Sequence, residues 1–375
     1  MNGASLNSDS AASLKHSVIL SLSKDQFCRI SRQAMRFKSL LQGLRTLLIL
    51  GRISNLPTVW SNLLAGSILA NVTPNYVSLL LVLLGGSFLY IGGMYLNDYC
   101  DADFDIRYCP ERPVPSGRIS RHGVGLMAGT WFTTGLACFV PFGVGTFAIA
   151  LLLLAAIVIY DCLHKGVFWA PLMMGACRFL LYPLAASAFI YQGVLTEKFA
   201  YVDHSPLSLS EVAMRATLGI VPAAVPLGIY VAGITYLARG ESRPGKPTRW
   251  ALLLLFLPLV FACGTYVWWN SSLQPPAPYF TSFPLSIDYG NTPYRHVPCM
   301  PVVLICGLQL YWMAWLLVPF WRKTNPSISR IVSGLLAGIV LVDMLALAPA
   351  IGPLGVILFP LFLLALLLQR FIPAT

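Results

Sequence analysis

"VSLLLVLLGGSFLYIGGMYLNDYCDADFD", residues 77–105, joins two kinds of chemistry without a linker. Residues 77–96 are apolar, small or aromatic, and twenty such residues are what a helix needs to cross the hydrocarbon of a bilayer. The nine that follow hold four aspartates: Asp98, Asp101, Asp103 and Asp105. If the helix continues through Asp105, at about 100° per residue, then Asp98, Asp101 and Asp105 share an arc of roughly 60°. Asn97 stands at the edge of that arc, and Asp103 points away from it. Three like charges at neighbouring helix positions repel one another. A divalent cation relieves the repulsion, and Mg²⁺ commonly bridges a few carboxylates to substrate phosphates. The plain alternative is a solvated polar stop to a membrane helix.

Composition sets the class of the whole chain. Its 375 residues are 57% hydrophobic and only 10% charged, against about 25% charged in a soluble domain. Apolar runs near membrane-spanning length recur, without the strict alternation of a lipid-embedded barrel. The expectation is an all-α polytopic membrane protein. The net charge of +11 then records basic cytoplasmic loops and does not call for nucleic acid. The nine cysteines include no C-x-x-C pair, so reduced, packed thiols are expected and no zinc or disulfide framework.

Candidate spans are 55–72, 76–97, 123–142, 144–161, 169–191, 216–238, 250–269, 300–320, 329–348 and 352–370. "VPFGVG" makes a tight hairpin of the third and fourth. "APAIGP" is a turn or a break between the last two, so the total is nine or ten. Basic residues gather in loops 98–122, 161–168, 239–249 and 321–330 and are sparse in the others. That bias puts the N-terminus and the 98–122 loop in the cytoplasm; the membrane is expected to be a bacterial inner membrane. Residues 1–54 carry a balance of +6. We expect residues 1–44 to be a basic segment, disordered or lying on the membrane surface, with 35–52 amphipathic. Residues 45–375 are expected to form one transmembrane domain. A start at Met35 is a further expectation, which N-terminal sequencing tests.

After the aspartates comes "RYCPERPVPSGRIS", residues 107–120. Pro110 and Pro113 end any helix, and Arg112 is placed to return toward the acidic face. An Arg there binds either phosphate oxygens or a carboxylate of the cluster, Asp105 or Glu111. Further on, "MMGACRFLLY" sets Arg178 about nine residues, roughly 13 Å, into the fifth span. Asp343, in "GIVLVDMLAL", is also intramembrane. Such charges face a cavity or a partner. Arg178 is read as a contact for a diphosphate or an anionic acceptor, the alternative being a pair with Asp161 or Asp343. Asp343 is read as a structural partner. Tyr90 and Tyr95 are read as packing aromatics.

"NDYCDADFD" resembles the N-D-x-x-D-x-x-x-D motif of the UbiA superfamily of intramembrane prenyltransferases, and "RPVPSGRIS" resembles the family's continuation of it. The resemblance implies a bundle of nine or ten helices around a central cavity. It implies a transferase of alkyl groups other than methyl, moving a prenyl group from its diphosphate to a lipophilic or aromatic acceptor with Mg²⁺. Asn97, Asp98, Asp101 and Asp105 would be the first motif, the three acids ligating metal and Asn97 orienting the ligand. "YDCLHKG" is similar to the family's Y-x-x-x-K, which makes Tyr160 and Lys165 substrate-contact candidates; His164 is given no metal. The second aspartate motif is replaced by "TYLARGESRPGKPTRW", residues 235–250, where Glu241 is the one acid and the remaining candidate contact. "YDCLHKG", "CRFLLY" and "YLARGE" together resemble the divergent EboC-like branch. A transporter or carrier that kept the fold without the chemistry is the competing reading, although no repeated halves are visible.

Overall fold

Asn75 begins the element that carries the quoted stretch: its Oδ1 accepts from Val77 N–H at 3.0 Å. The computed structural model describes residues 24–70, 75–163, 167–195, 209–239, 250–270, 299–321 and 327–374. Every regular element among them is helical. In order these are α1 (Lys24–Leu50), α2 (Leu56–Leu69), α3 (Tyr76–Tyr108), α4 (Arg121–Ala137), α5 (Gly143–Leu163), α6 (Ala170–Leu195), α7 (Leu209–Ala238), α8 (Ala251–Asn270), α9 (Cys299–Trp321), α10 (Ile328–Ala337), α11 (Ile339–Ile351) and α12 (Phe359–Gln369). Short 3₁₀ turns cover Ile53–Asn55, Val140–Phe142 and Gly352–Leu358.

The chain divides between Leu48 and Ile49. In the first unit α1 begins at Lys24, so a helix occupies part of the segment expected to be disordered or to lie on the membrane surface. It leaves Ile30, Phe37, Leu40, Leu41 and Leu44 exposed.

Among the described residues of the second unit, six stretches are long and apolar enough to cross a membrane. They are 76–108, 121–163, 170–193, 220–238, 300–318 and 328–348. The second of these is 43 residues long, twice the length of a crossing. It is interrupted at Val140–Phe142 and by Gly143, whose φ of +77° suits only glycine. The turn expected from "VPFGVG" therefore falls at its start. The element expected over 329–348 is two helices meeting at Gly338.

The most interior stretches are 328–348, with 83% of its apolar window buried, and 170–193, with 78%. Lipid tails are as apolar as Leu, so these helices associate through close packing of small residues. Gly66 on α2 lies against the main chain of α6, where a Cβ would stand 2.5 Å from the Tyr182 carbonyl oxygen. Gly175 on α6 lies in the same way against the Gly228 carbonyl of α7. Around these contacts α2, α3, α5, α6, α7 and α10 line a cavity of about 190 Å³.

Candidate active site

The acidic face forms because α3 runs unbroken past the apolar stretch to Tyr108, where Cys109 caps it by donating to the Asp105 carbonyl at 2.8 Å. Asn97, Asp98, Asp101 and Asp105 are all buried, between 2% and 8% exposed. Asp103 faces outward, 77% exposed at its side chain, and pairs with Arg121 at 3.1 Å. The helical spacing thus separates the acids as expected. Pro110 and Pro113 follow the helix end, and the chain turns back so that Arg112 Nη1 donates to Asp105 Oδ2 at 2.8 Å. Burial disfavours the charge on Arg112, but its hydrogen bond to Asp105 and that carboxylate's charge outweigh it and raise the guanidinium above the ordinary arginine range. Of its two expected destinations, carboxylate or phosphate, Arg112 occupies the first here.

Among the described residues, no group of three His, Cys, Asp or Glu stands together as a ready metal cage. The donor set still suits Mg²⁺. That ion prefers oxygen, keeps waters, and is usually held by one or two carboxylates plus substrate phosphates.

Asn97 connects this face to the cavity. Its Oδ1 accepts from Arg52 Nη2 at 3.5 Å, and its Nδ2 donates to Asp161 Oδ1 at 3.3 Å. Arg52 and Asp161 both line the cavity. Arg52 adopts a left-handed backbone with φ 41°, a strain of about 1–3 kcal/mol in a non-glycine residue. Its carbonyl accepts from Tyr90 Oη at 3.1 Å. Tyr90 packs against the core as expected, and this bond gives it a polar role besides. It lines the cavity, and the Arg178 guanidinium sits 5.7 Å from its ring centroid. Tyr160 lines the cavity as well. Tyr95 is buried, and Tyr99 faces outward under Arg121 at 5.0 Å.

Arg178 is buried and lines the cavity, but it bonds directly to neither Asp161 nor Asp343. Its Nη1 donates to Asn62 Oδ1 at 3.0 Å, and Asn62 Nδ2 donates to Asp343 at 2.8 Å. Asp343 also accepts from Ser61 Oγ and, at 2.8 Å, from Tyr182 Oη. Asp343 thus has the structural role expected of it. Lys165, His164 and Glu241 lie outside the described residues.

The sequence reading had no role for Arg52, Asn55 or Asn62, and it named Asp161 only as an alternative partner. A signal existed: Asn55 and Asn62, seven residues apart in an apolar segment, fall on one helix face. Asn55 Nδ2 also donates to the Ala374 carbonyl at 3.0 Å, bringing the C-terminal tail to the cavity wall.

The family profile described as UbiA prenyltransferase matches residues 55–329. A 4-hydroxybenzoate octaprenyltransferase of Polynucleobacter asymbioticus is 29% identical over 137 residues, 36% of this chain and 46% of that protein. A 4-hydroxybenzoate octaprenyltransferase of Photobacterium profundum is 38% identical over 73 residues, 19% of this chain and 24% of that protein. The chain thus spans less than half the length of either curated relative. The apo structure of a UbiA homolog from Aeropyrum pernix K1 aligns at a TM-score of 0.53 with 14% identity, over 78% of this chain and 96% of the other, a likeness of fold.

Proposed function

The chain belongs to the UbiA prenyltransferase family, and from that premise we propose that it moves a prenyl group from a prenyl diphosphate to a lipophilic or aromatic acceptor within the membrane. One observation carries the reading: a buried carboxylate face is joined through Asn97 to a largely apolar cavity lined by Arg52 and Arg178. Ionising an allylic diphosphate needs two environments side by side. One neutralises the departing diphosphate, and the other keeps water from the allylic cation.

Mg²⁺ would be held by Asp98, Asp101 and Asp105, and when bound it neutralises charge on the leaving diphosphate. Arg112 offers a two-pronged donor to phosphate oxygens. Asn97 orients the ligand between the acidic face and Arg52. Tyr90 and Tyr160 give the cavity aromatic faces suited to an allylic cation. Arg178 reaches the diphosphate or an anionic acceptor group. Lys165 and Glu241 remain proposed substrate contacts. The basic loops support a cytoplasmic position for this end of the bundle, and the membrane proposed for it is a bacterial inner one.

The carrier reading rests on two intramembrane charges, Arg178 and Asp343, and on the missing second aspartate motif. The shared partner Asn62 gives the two charges a structural role and leaves the motif to the test. The test is mass spectrometry of purified protein incubated with Mg²⁺, prenyl diphosphates of several chain lengths and a cell extract. Released pyrophosphate together with a prenylated product is the expected result. Binding of the diphosphate without release of either would favour the carrier.

A further inference from the structure

Transfer of a prenyl group displaces a proton from the acceptor, whichever acceptor is used. The acceptor's electron pair forms the bond to the allylic carbon, and the carbon–oxygen bond to diphosphate breaks with its pair. A C–H or O–H bond of the acceptor must then give up its proton. Nothing in the acidic motif does this from inside the cavity, because Asp98, Asp101 and Asp105 are not among the residues that line it.

Asp161 does line it, and among the described residues it is the sole carboxylate there. It is 3% exposed, near the end of α5, and Asn97 Nδ2 fixes one of its oxygens at 3.3 Å. The other titratable groups around the cavity are Arg52, Tyr90, Tyr160, Cys177 and Arg178, with Cys100 beside Asp161 as well. Two guanidinium groups therefore share the cavity with a single acid. Asn97 belongs to the face proposed to meet the diphosphate. The carboxylate it orients thus lies next to the place where the allylic carbon would be released.

We propose that Asp161 is the catalytic base of the transfer, taking the acceptor's proton onto its carboxylate as the prenyl bond forms. This rests on the prenyl-transfer reading above. General bases of this kind contribute about 10²–10⁴-fold to rate.

Asp161→Asn keeps the shape and an oxygen for Asn97, and Asp161→Glu keeps the carboxylate. Steady-state kinetics against pH are measured for the wild type and both variants, with calorimetric binding of geranyl diphosphate as the control. The expected result for Asp161→Asn is a fall in kcat of at least about 100-fold. Binding of geranyl diphosphate stays within about twofold, and the fall of kcat toward acid pH seen in the wild type disappears. Asp161→Glu recovers part of the rate and restores a displaced acid limb. If Asp161→Asn fails to fold, Asp161→Glu decides alone: an acid limb identical to wild type overturns the proposal. A kcat for Asp161→Asn within about twofold of wild type, or an unchanged acid limb, also overturns it and leaves the transferase reading standing. A wild type that forms no prenylated product with any donor overturns both.

Discussion

Arg178 and Asp343 are linked by one amide rather than by contact: Asn62 accepts from Arg178 at 3.0 Å and donates to Asp343 at 2.8 Å. The arrangement satisfies an acid that is 0% exposed while leaving the guanidinium against the cavity. Replacing Asp343 by Ala strands the donors of Asn62 and Tyr182, while the Ser61 hydroxyl keeps the Thr58 carbonyl. We expect a loss of about 2 kcal/mol or more, since each stranded buried donor costs about 1–3 kcal/mol. Thermal unfolding in detergent measures it, and an unchanged midpoint would contradict the structural role.

The aspartates of α3 divide into two sets that mutation should tell apart. Asp98→Ala with Asp101→Ala should abolish product formation while the protein stays folded, and a chelator should do the same to the wild type. Asp103→Ala removes only an exposed pair with Arg121, worth under about 1 kcal/mol. Its turnover should stay within about twofold. Undiminished turnover in the double variant would remove the metal assignment.

Arg112 tests whether the fork or only the charge matters. Arg112→Lys keeps a cation but presents no planar pair of donors to phosphate. We expect KM for the prenyl diphosphate to rise about tenfold with Arg112→Lys and further with Arg112→Ala, read from initial rates at saturating acceptor. Asp105 raises the Arg112 pKa, so Arg112 keeps its proton at every working pH. Neither variant should therefore shift the pH profile of kcat.

Gly175 meets the Gly228 carbonyl with no room for a side chain. Gly175→Ala forces α6 from α7 and should cost about 1–3 kcal/mol, the usual penalty for overpacking. Gly129, with nothing within 4 Å of an added Cβ, is the control, and Gly129→Ala should match the wild type in the same melt.

Much of α3 was legible because helical geometry is local. The continuation through Asp105, the burial of three acids on one face, the outward Asp103 and the return of Arg112 all follow from spacing and proline placement. What crosses between helices was not legible. Asn62 and Arg178 meet across more than a hundred positions of sequence, and their register is set by Gly66 against Tyr182, a contact that no periodicity reveals. The polar contacts of Tyr90 escaped for the same reason. Its partners, Arg52 and Arg178, come from outside its own helix. The division of residues 328–351 at Gly338 also escaped, since the apolar pattern runs across it unchanged.

Arg178 lies between two main-chain contacts of α6, Gly175 on Gly228 and Tyr182 on Gly66, about one helical turn to either side. Side chains can swing to suit a visitor; backbones in van der Waals contact cannot. The cation is in effect mounted on a fixed post, while Leu153, Ile157, Val231, Ile234, Val332 and Leu336 line other parts of the same cavity. Substitutions at these aliphatic positions could change which molecules the cavity admits without moving Arg178. On the proposed function, substrate range would drift through the aliphatic positions while the cation at the other end stays in place.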